Sequence, residues 1–391
     1  MKILVIRESN PYIFSNATNN RFLSLAEGLS TKNVKISFCF LSGYSNKFEK
    51  VKYKSKGEYN DFNYTYLLPV LMTNLFVRQF FYRLFPTTFL FRKFEKEINF
   101  NCYDIIWLGY DPKAIQFGTM MMKKYKHLKY FHERSEFSWI GLSQFKRLHA
   151  IYLNNFLPNL DSLALMTQTL LRYYKKFTKK NCEIFHLAMT VDFSRFEIPS
   201  EIRKNNYIGY CGTMNNKKDG VDILIKSFVS ISSEFPEINL YIAGPLKPNK
   251  DYMILKDIIK KNKIDERVCF LGEISRNEIP NFLINAKVLA MARPDSKQAK
   301  GGFPTKLGEY LATGNPVCVT NVGEISNYLS DNNSAYIAKP SSIKSFKSSL
   351  SRALSDVNAN KVGRLGREIA RKKFNKDIQV DYLYNKLTQL K

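Results

Sequence analysis

Two stretches of this 391-residue chain hold residues whose types and spacing suit the binding of an anion. The first, MARPDSKQAKGGFPTKLGEYLATGNPVCVT, runs from Met291 to Thr320. Gly301 and Gly302 allow close backbone approach to a ligand, and Pro304 suits a first helical turn, where its missing N–H costs nothing. Thr305 and Lys306 would follow with free backbone N–H groups at the helix start, an anion site with an ammonium added. Glu309 falls about one turn later, where a carboxylate can accept two ribose hydroxyls while N–H groups hold phosphates. The second stretch is YIGYCGTMNNKKDGVDILIKSF, in which Gly209 and Gly212 flank a strand end and Lys217 and Lys218 precede a helix beginning near Val221. A glycine turn with a lysine at a helix start reads as a phosphate cradle. Taken singly, each is equally a capped turn or surface loop with Lys306, Glu309 and the lysine pair in solvent. Their fall at one edge of one expected sheet favours the ligand.

In the first half, LKYFHERSEF places His132 and Glu133 at a strand end, with Glu136 close by. A capping histidine with a surface glutamate pair would look the same. The loop after the first strand, SNPYIFSNATNNRFLSLAEGLS, offers Asn16, Thr18, Asn20 and Arg21 as polar candidates, and no glycine precedes Gly28.

Elements of a particular kind must position these residues. Continuous apolar runs suit strands buried on both faces. They occur at 2–7, 35–41, 104–109, 128–132 and 162–167, and again at 207–211, 238–244, 267–271, 287–292, 315–320 and 335–338. Helix-length segments separate them. The expected class is α/β: two facing Rossmann-like doubly wound parallel-sheet domains. The expected boundaries are an N-terminal domain over 1–186, a linker over 187–206, a C-terminal domain over 207–375 and a final helix over 376–391 returning to the first domain. Ligands of such sheets bind beyond the carboxyl ends of strands, so the strand-to-helix junctions carry the chemistry.

Composition narrows the partners. Hydrophobic residues make up 45% and charged residues 24%, which excludes disordered and collagen-like chains. The net charge of +26 is spread along the chain and favours an anionic partner: nucleic acid, an anionic membrane surface or a phosphorylated substrate. Cys39, Cys102, Cys182, Cys211, Cys269 and Cys318 form no C-x-x-C pair and read as buried free thiols of a reducing cytosol. They make no metal-ligand spacing with the four histidines. The N-terminus MKILVIRESN reads as a first strand rather than a signal peptide. The nearest approach to a membrane span, Leu71–Phe91, is interrupted by Arg78 and Arg83 and broken by Pro86. It is dense in Leu71, Leu75, Phe76, Phe80 and Leu84, and Arg92 and Lys93 follow. Residues 71–96 thus read either as an interfacial segment drawn to anionic lipid or as a core helix with snorkelling arginines.

The second half, over about 184–372, resembles the nucleotide-sugar-binding domain of GT-B glycosyltransferases, specifically the large retaining family 4. The stretches that carry the likeness are GYCGTMNNKKDGVDILIKSF, LYIAGP, RVCFLGEI, ARPDSKQAKGGFPTKLGEYLATGNPVCVT and VGEIS, with HLAMTVDFSRF leading in. The resemblance implies transfer from a nucleotide-diphosphate sugar to a saccharide or lipid-linked saccharide, in surface polysaccharide synthesis. It implies that Glu309 is the second glutamate of the E-x7-E signature and holds the donor ribose. It implies that Gly302 and Phe303 approach the donor sugar by their backbone, that Thr305 and Lys306 meet the diphosphate, and that Lys218 contacts the phosphates. Thr213 stands where many relatives have an arginine, and Lys306 or Arg293 would compensate. Gly301 replaces the first glutamate of the signature. His132 matches an acceptor-side histidine near the donor sugar, with Glu133 orienting it or touching the acceptor. Asn16, Thr18 and Arg21 lie in the loop that approaches the diphosphate or acceptor.

Departure of the nucleotide builds negative charge on the β-phosphate, which preorganised donors must stabilise. The chain shows no D-x-D at a strand end, so a reaction without metal or cofactor is expected, with Lys218, Lys306 and helix starts supplying positive charge. The resemblance implies retention, and front-face attack by the acceptor hydroxyl, with the leaving phosphate taking its proton, would need no nucleophilic carboxylate. The expected location is cytoplasmic, peripheral at the inner membrane face. Two other readings are a nucleotide-sugar epimerase on the same architecture and a non-catalytic nucleic-acid-binding protein; the first lacks the match at GFPTKLGEYLATG and the second lacks a recognisable module.

Overall fold

A computed structural model describes residues 1–13, 16–72, 80, 85–197, 205–246 and 249–390. The chain divides into two compact units: Met1–Ala188 with Gln379–Lys391, and Met189–Ile378.

The first unit is built on strands β1 (Lys2–Arg7), β2 (Lys35–Phe40), β3 (Lys56–Tyr59), β4 (Phe62–Tyr66), β5 (Ile105–Leu108), β6 (Lys129–Arg134), β7 (Ser162–Leu165) and β8 (Glu183–His186). They lie in the order β3-β4-β2-β1-β5-β6-β7-β8. Every pairing is parallel except β3 with β4. The central strand KILVIR is buried from Ile3 onward, because helices cover both faces of a parallel sheet. The β3–β4 hairpin and β8 lie outside the expected strands. The hairpin turns on Asn60 and Asp61, both at positive φ (48° and 63°), which is the two-residue turn whose twist suits paired strands.

The second unit holds β9 (Asn205–Cys211), β10 (Asn239–Ala243), β11 (Val268–Gly272), β12 (Ala286–Met291), β13 (Val317–Thr320) and β14 (Tyr336–Ala338), ordered β11-β10-β9-β12-β13-β14 and wholly parallel. Strand order reverses at β1 in the first sheet and at β9 in the second. The reversal opens a crevice at the strands' carboxyl ends, because the helices leaving neighbouring strands go to opposite faces.

The helix Lys376–Leu390 begins in the second unit and ends in the first, where Val380, Leu383 and Leu387 join the core around Phe22, Leu25 and Trp107. Gly28 lies so close to Val380 that a Cβ would overlap its methyl groups. Leu187 and Ala188 belong to the first unit, and from Met189 the chain is part of the second. The stretch 189–197, expected as linker, is therefore structured. Val191 donates its N–H to the Phe374 carbonyl (2.7 Å) and accepts from Lys376 (2.9 Å), and Phe196 is fully buried. Of the cysteines, Cys39, Cys182 and Cys318 are buried as expected, whereas Cys102 and Cys269 are exposed.

Candidate active site

At the reversal in the second unit, glycines draw the strand ends together. Gly212 follows β9, and Gly244 after β10 presses on the Gly212 carbonyl so closely that a Cβ would overlap it. Gly220, at φ 69°, lies against the carbonyl of Ala292, which follows β12. Any side chain at these two positions would strike backbone, which cannot move aside.

Into this space the helix Thr305–Ala312 sends Lys306. Its side chain lies directly over Gly212, where a Cβ would overlap Nζ and Cε. The ammonium donates to Tyr210 Oη (3.0 Å) and to Asp219 Oδ1 (3.2 Å). Asp219 is buried, and its Oδ2 accepts the Thr213 hydroxyl at 2.6 Å. Tyr210 donates onward to the Thr213 carbonyl (2.7 Å). Tyr310, one turn along the same helix, accepts the Cys211 N–H at 2.8 Å and so pins the helix to β9. The helix follows Pro304 with no side-chain cap, so its first turn presents N–H groups as the sequence pattern requires. Burial pushes the Lys306 ammonium below the ordinary lysine range, against the pull of Asp219. Burial likewise pushes the Cys211 thiol up to about 11, with Glu309 adding to the rise. Arg293 is buried, donating from Nε to the Lys218 carbonyl (3.3 Å), while its own carbonyl accepts Thr320 Oγ1 (2.6 Å).

The structure thus brings Thr213, Lys306 and Arg293 together, and alters the part that Thr213 was expected to play. Its hydroxyl donates to Asp219 rather than being held for a ligand. Glu309 is half-buried, with Oε1 in an ion pair with Arg195 Nη1 (2.9 Å), whose Nη2 donates to the Arg276 carbonyl (2.8 Å). Lys218 has an exposed side chain, and its N–H is capped by Asn215 (2.8 Å). Gly301 ends the short helix Lys297–Gly301, and Gly302 gives its N–H to Gln298 (3.1 Å). The Phe303 ring packs on Tyr328 and Phe374, with centroids 5.5 and 5.1 Å away, so only its backbone is offered to a ligand. Thr305 is half-buried at the helix start. Sequence reasoning missed Tyr210, Asp219, Tyr310 and Arg195. The adjacency of Asp219 to Lys218 was visible but did not distinguish a buried carboxylate from a solvated one.

In the first unit the expected site residues hold structure. β6 runs on to Arg134, so His132 and Glu133 lie within it. His132 is fully buried, with Nδ1 at 2.7 Å from the Leu108 carbonyl and Nε2 at 3.1 Å from Tyr152 Oη. Burial depresses its pKa to about 3. This corrects the expectation of a histidine offered to a ligand: the ring is a neutral core side chain with both nitrogens engaged. Glu133 accepts from Arg21 Nε at 2.8 Å, and the buried Arg21 also donates to the carbonyls of Leu187 (2.8 Å) and Ala188 (2.7 Å). Arg21 is thereby a tie between a helix and the end of the first unit rather than a residue of an open loop. Asn16 caps the helix Ala17–Ser30 through the Asn19 N–H, and Thr18 is exposed in its first turn. The carboxyl ends of β1 and β5 carry charges. Arg7 donates to Asn19 (3.0 Å) and lies 3.7 Å from Asp111, and the buried Glu8 accepts the N–H of Lys113 (3.2 Å).

Two doubly wound sheets of this order make up the GT-B architecture, and solved structures of that kind superimpose along the whole chain. Sucrose-phosphate synthase from Thermosynechococcus elongatus matches with a TM-score of 0.76 at 15% identity, covering 100% of both chains. HepE of Anabaena, in complex with UDP and glucose, matches at 0.74 and 15%, again covering 100% of both. A structure described as trehalose-6-phosphate from E. coli bound with UDP-2-fluoro glucose matches at 0.71 and 12%, covering 100% of this chain and 99% of that one. Residues 193–371 match the family described as Glycosyl transferases group 1. The matched stretch makes up most of the second unit, and the whole chain has the GT-B fold. A curated UPF0301 protein of Parabacteroides distasonis is 35% identical over 81 residues, which span 20% of this chain and 39% of that protein.

Proposed function

We propose that the chain is a retaining glycosyltransferase that moves a sugar from a nucleotide-diphosphate donor to a saccharide or lipid-linked saccharide acceptor in surface polysaccharide synthesis. The observation that carries the donor reading is the seating of Lys306 over Gly212, beside an uncapped helix start and at the reversal of the second sheet. A diphosphate meets there an ammonium and backbone N–H groups, the donors that stabilise a leaving phosphate. Glu309, one turn on, has a carboxylate oriented by Arg195 and suited to a ribose diol. Similar folds are described with UDP and glucose or UDP-2-fluoro glucose bound, which supports a uridine diphosphate donor.

Positive charge from Lys306, Arg293 and Lys218 suits a reaction that needs no divalent ion. Gly301, in place of a carboxylate, suits front-face attack with the departing phosphate accepting the acceptor's proton. Phe80, Phe89 and Arg92 are exposed, while Lys93 pairs with Glu97 (3.5 Å), consistent with peripheral contact between part of 71–96 and anionic lipid at the cytoplasmic face. Residues 73–79 and 81–84, with Leu75, Phe76, Arg78, Arg83 and Leu84, lie outside the described residues. Among the described residues, no helix is long and apolar enough to cross a membrane.

A thermal-shift panel of UDP-, GDP-, ADP- and TDP-sugars tests the reading. One donor should raise the melting temperature by mass action, and Lys306→Ala should abolish the rise. A panel without any shift, or a Lys306→Ala protein that binds as well as wild type, would overturn it. Transfer persisting in EDTA would support the metal-free route, and product anomer analysis by NMR would test retention.

A further inference from the structure

We propose that Asp219 is the positioning residue for Lys306, an internal counter-anion that keeps the ammonium charged and seated at the end of β9 where the donor's diphosphate arrives. The inference rests on the diphosphate reading of this site and adds the device that makes a half-buried lysine usable there.

Lys306 is drawn into a place where an ammonium is poorly solvated. It lies over the bare Cα of Gly212, against Tyr210 and close to Cys211, with the buried Arg293 adding like charge. Glu309, on the same helix, is paired with Arg195. Desolvation and Arg293 favour the neutral amine, and Asp219 opposes both from 3.2 Å. Asp219 is itself aimed by its surroundings. The Thr213 hydroxyl holds Oδ2 at 2.6 Å, which leaves Oδ1 directed at Nζ. Gly220, in the left-handed conformation at φ 69°, lets the segment bearing Asp219 close onto the Ala292 carbonyl. The carboxylate is thus buried, oriented from one side and paired on the other. A diphosphate arriving at Nζ finds a cation already charged and in place, whose bond to Oδ1 it can share or exchange for its own oxygens.

Asp219→Asn keeps the shape and the Thr213 contact but removes the charge. UDP, GDP, ADP and TDP titrations by calorimetry at pH 6.5 and 8.5 then read the role. Wild type should hold its diphosphate with less than about threefold change between the two pH values. Asp219→Asn should weaken by at least about tenfold as pH rises, because each unit by which the ammonium's titration is displaced is a factor of ten in the charged fraction above it. Asp219→Asn combined with Lys306→Arg should lose that pH dependence, since a guanidinium stays charged. A merely structural Asp219 would give an equal loss at both pH values and no rescue by arginine. That result, or an Asp219→Asn profile matching wild type, would overturn the proposal. If Asp219→Asn does not fold alone, Asp219→Asn with Lys306→Met removes both charges, and the pair should unfold no more easily than Lys306→Met by itself. A double variant much less stable than Lys306→Met would also overturn it. Wild-type protein that binds none of the four diphosphates would sink the donor reading and this inference together, whereas binding in wild type with an unaltered Asp219→Asn sinks the inference alone.

Discussion

Gly212→Ala should displace the Lys306 ammonium from its seat. A Cβ at 212 would overlap Nζ and Cε and stand 3.0 Å from Cδ, all of them at the far end of a flexible side chain. The clash is relieved when the lysine swings out toward solvent, since its side chain is already 24% exposed, while the φ of 157° at Gly212 adds backbone strain to the cost of an alanine there. What is lost is the bond to Tyr210 at 3.0 Å and the ion pair to Asp219 at 3.2 Å. Asp219, only 4% exposed, is left with the Thr213 hydroxyl. A hydrogen bond to a charged buried group is worth about 1.5–3 kcal/mol, so a loss of at least about 2 kcal/mol is expected before the strain of alanine at that φ is added. For a unit of this size that corresponds to a fall of at least about 4–8 °C in melting temperature. Donor affinity should fall by more than about tenfold, and adding Lys306→Ala to Gly212→Ala should cost little further, because the two changes remove the same contact. Differential scanning calorimetry with UDP titration on the four proteins of this cycle reads both effects. Gly212→Ala with unchanged melting temperature and affinity, or additive losses in the double variant, would refute the seating of Lys306 over Gly212.

Three other outcomes follow from the same geometry. Gly220→Ala should destabilise the second unit more than Gly212→Ala, since its Cβ would meet the Ala292 carbonyl, which is backbone, at a φ of 69° that disfavours alanine; comparative urea melts decide this. Arg195→Ala should raise the donor KM by about three- to tenfold with kcat nearly unchanged, because it frees the Glu309 carboxylate to wander while leaving the reacting atoms alone; steady-state kinetics with the donor found in the panel provide the check. His132, held near pKa 3 by burial, is neutral in the folded chain and charges in the unfolded one below about pH 6.5. The unfolded state then binds the extra proton, so stability falls as pH drops, by about 2 kcal/mol at pH 5. His132→Gln should flatten this acid limb of the melting curve against pH, and an unchanged limb would refute the assignment.

The parallel strands were legible because burial on both faces leaves continuous apolar runs such as KILVIR and KVLAMA, which no solvent-facing alternation interrupts. The edge elements were not. β3 reads KGEY and is almost wholly exposed, so nothing in its hydropathy marks it. β8 is four residues long and half-buried. At the site, the helix start after Pro304 and the position of Lys306 could be read from spacing, because Pro, Gly and Lys act through local backbone geometry. His132 misled because a strand-end histidine and a core histidine share one local pattern, and only the packing of Tyr152 and the Leu108 carbonyl around the ring tells them apart.

The sequence by itself determined the class of fold, the junctions able to carry an anion and the lysine that would meet it, since each follows from periodicities and backbone preferences a few residues long. The tertiary structure decided which partners these residues have. Asp219 and Lys306 are 87 positions apart, and Arg195 and Glu309 are 114 apart. Such pairs exist only once the sheet has brought the ends of β9 and β12 together. Charge complementarity acts through space over a few ångströms, and the chain reveals that neighbourhood only when folded.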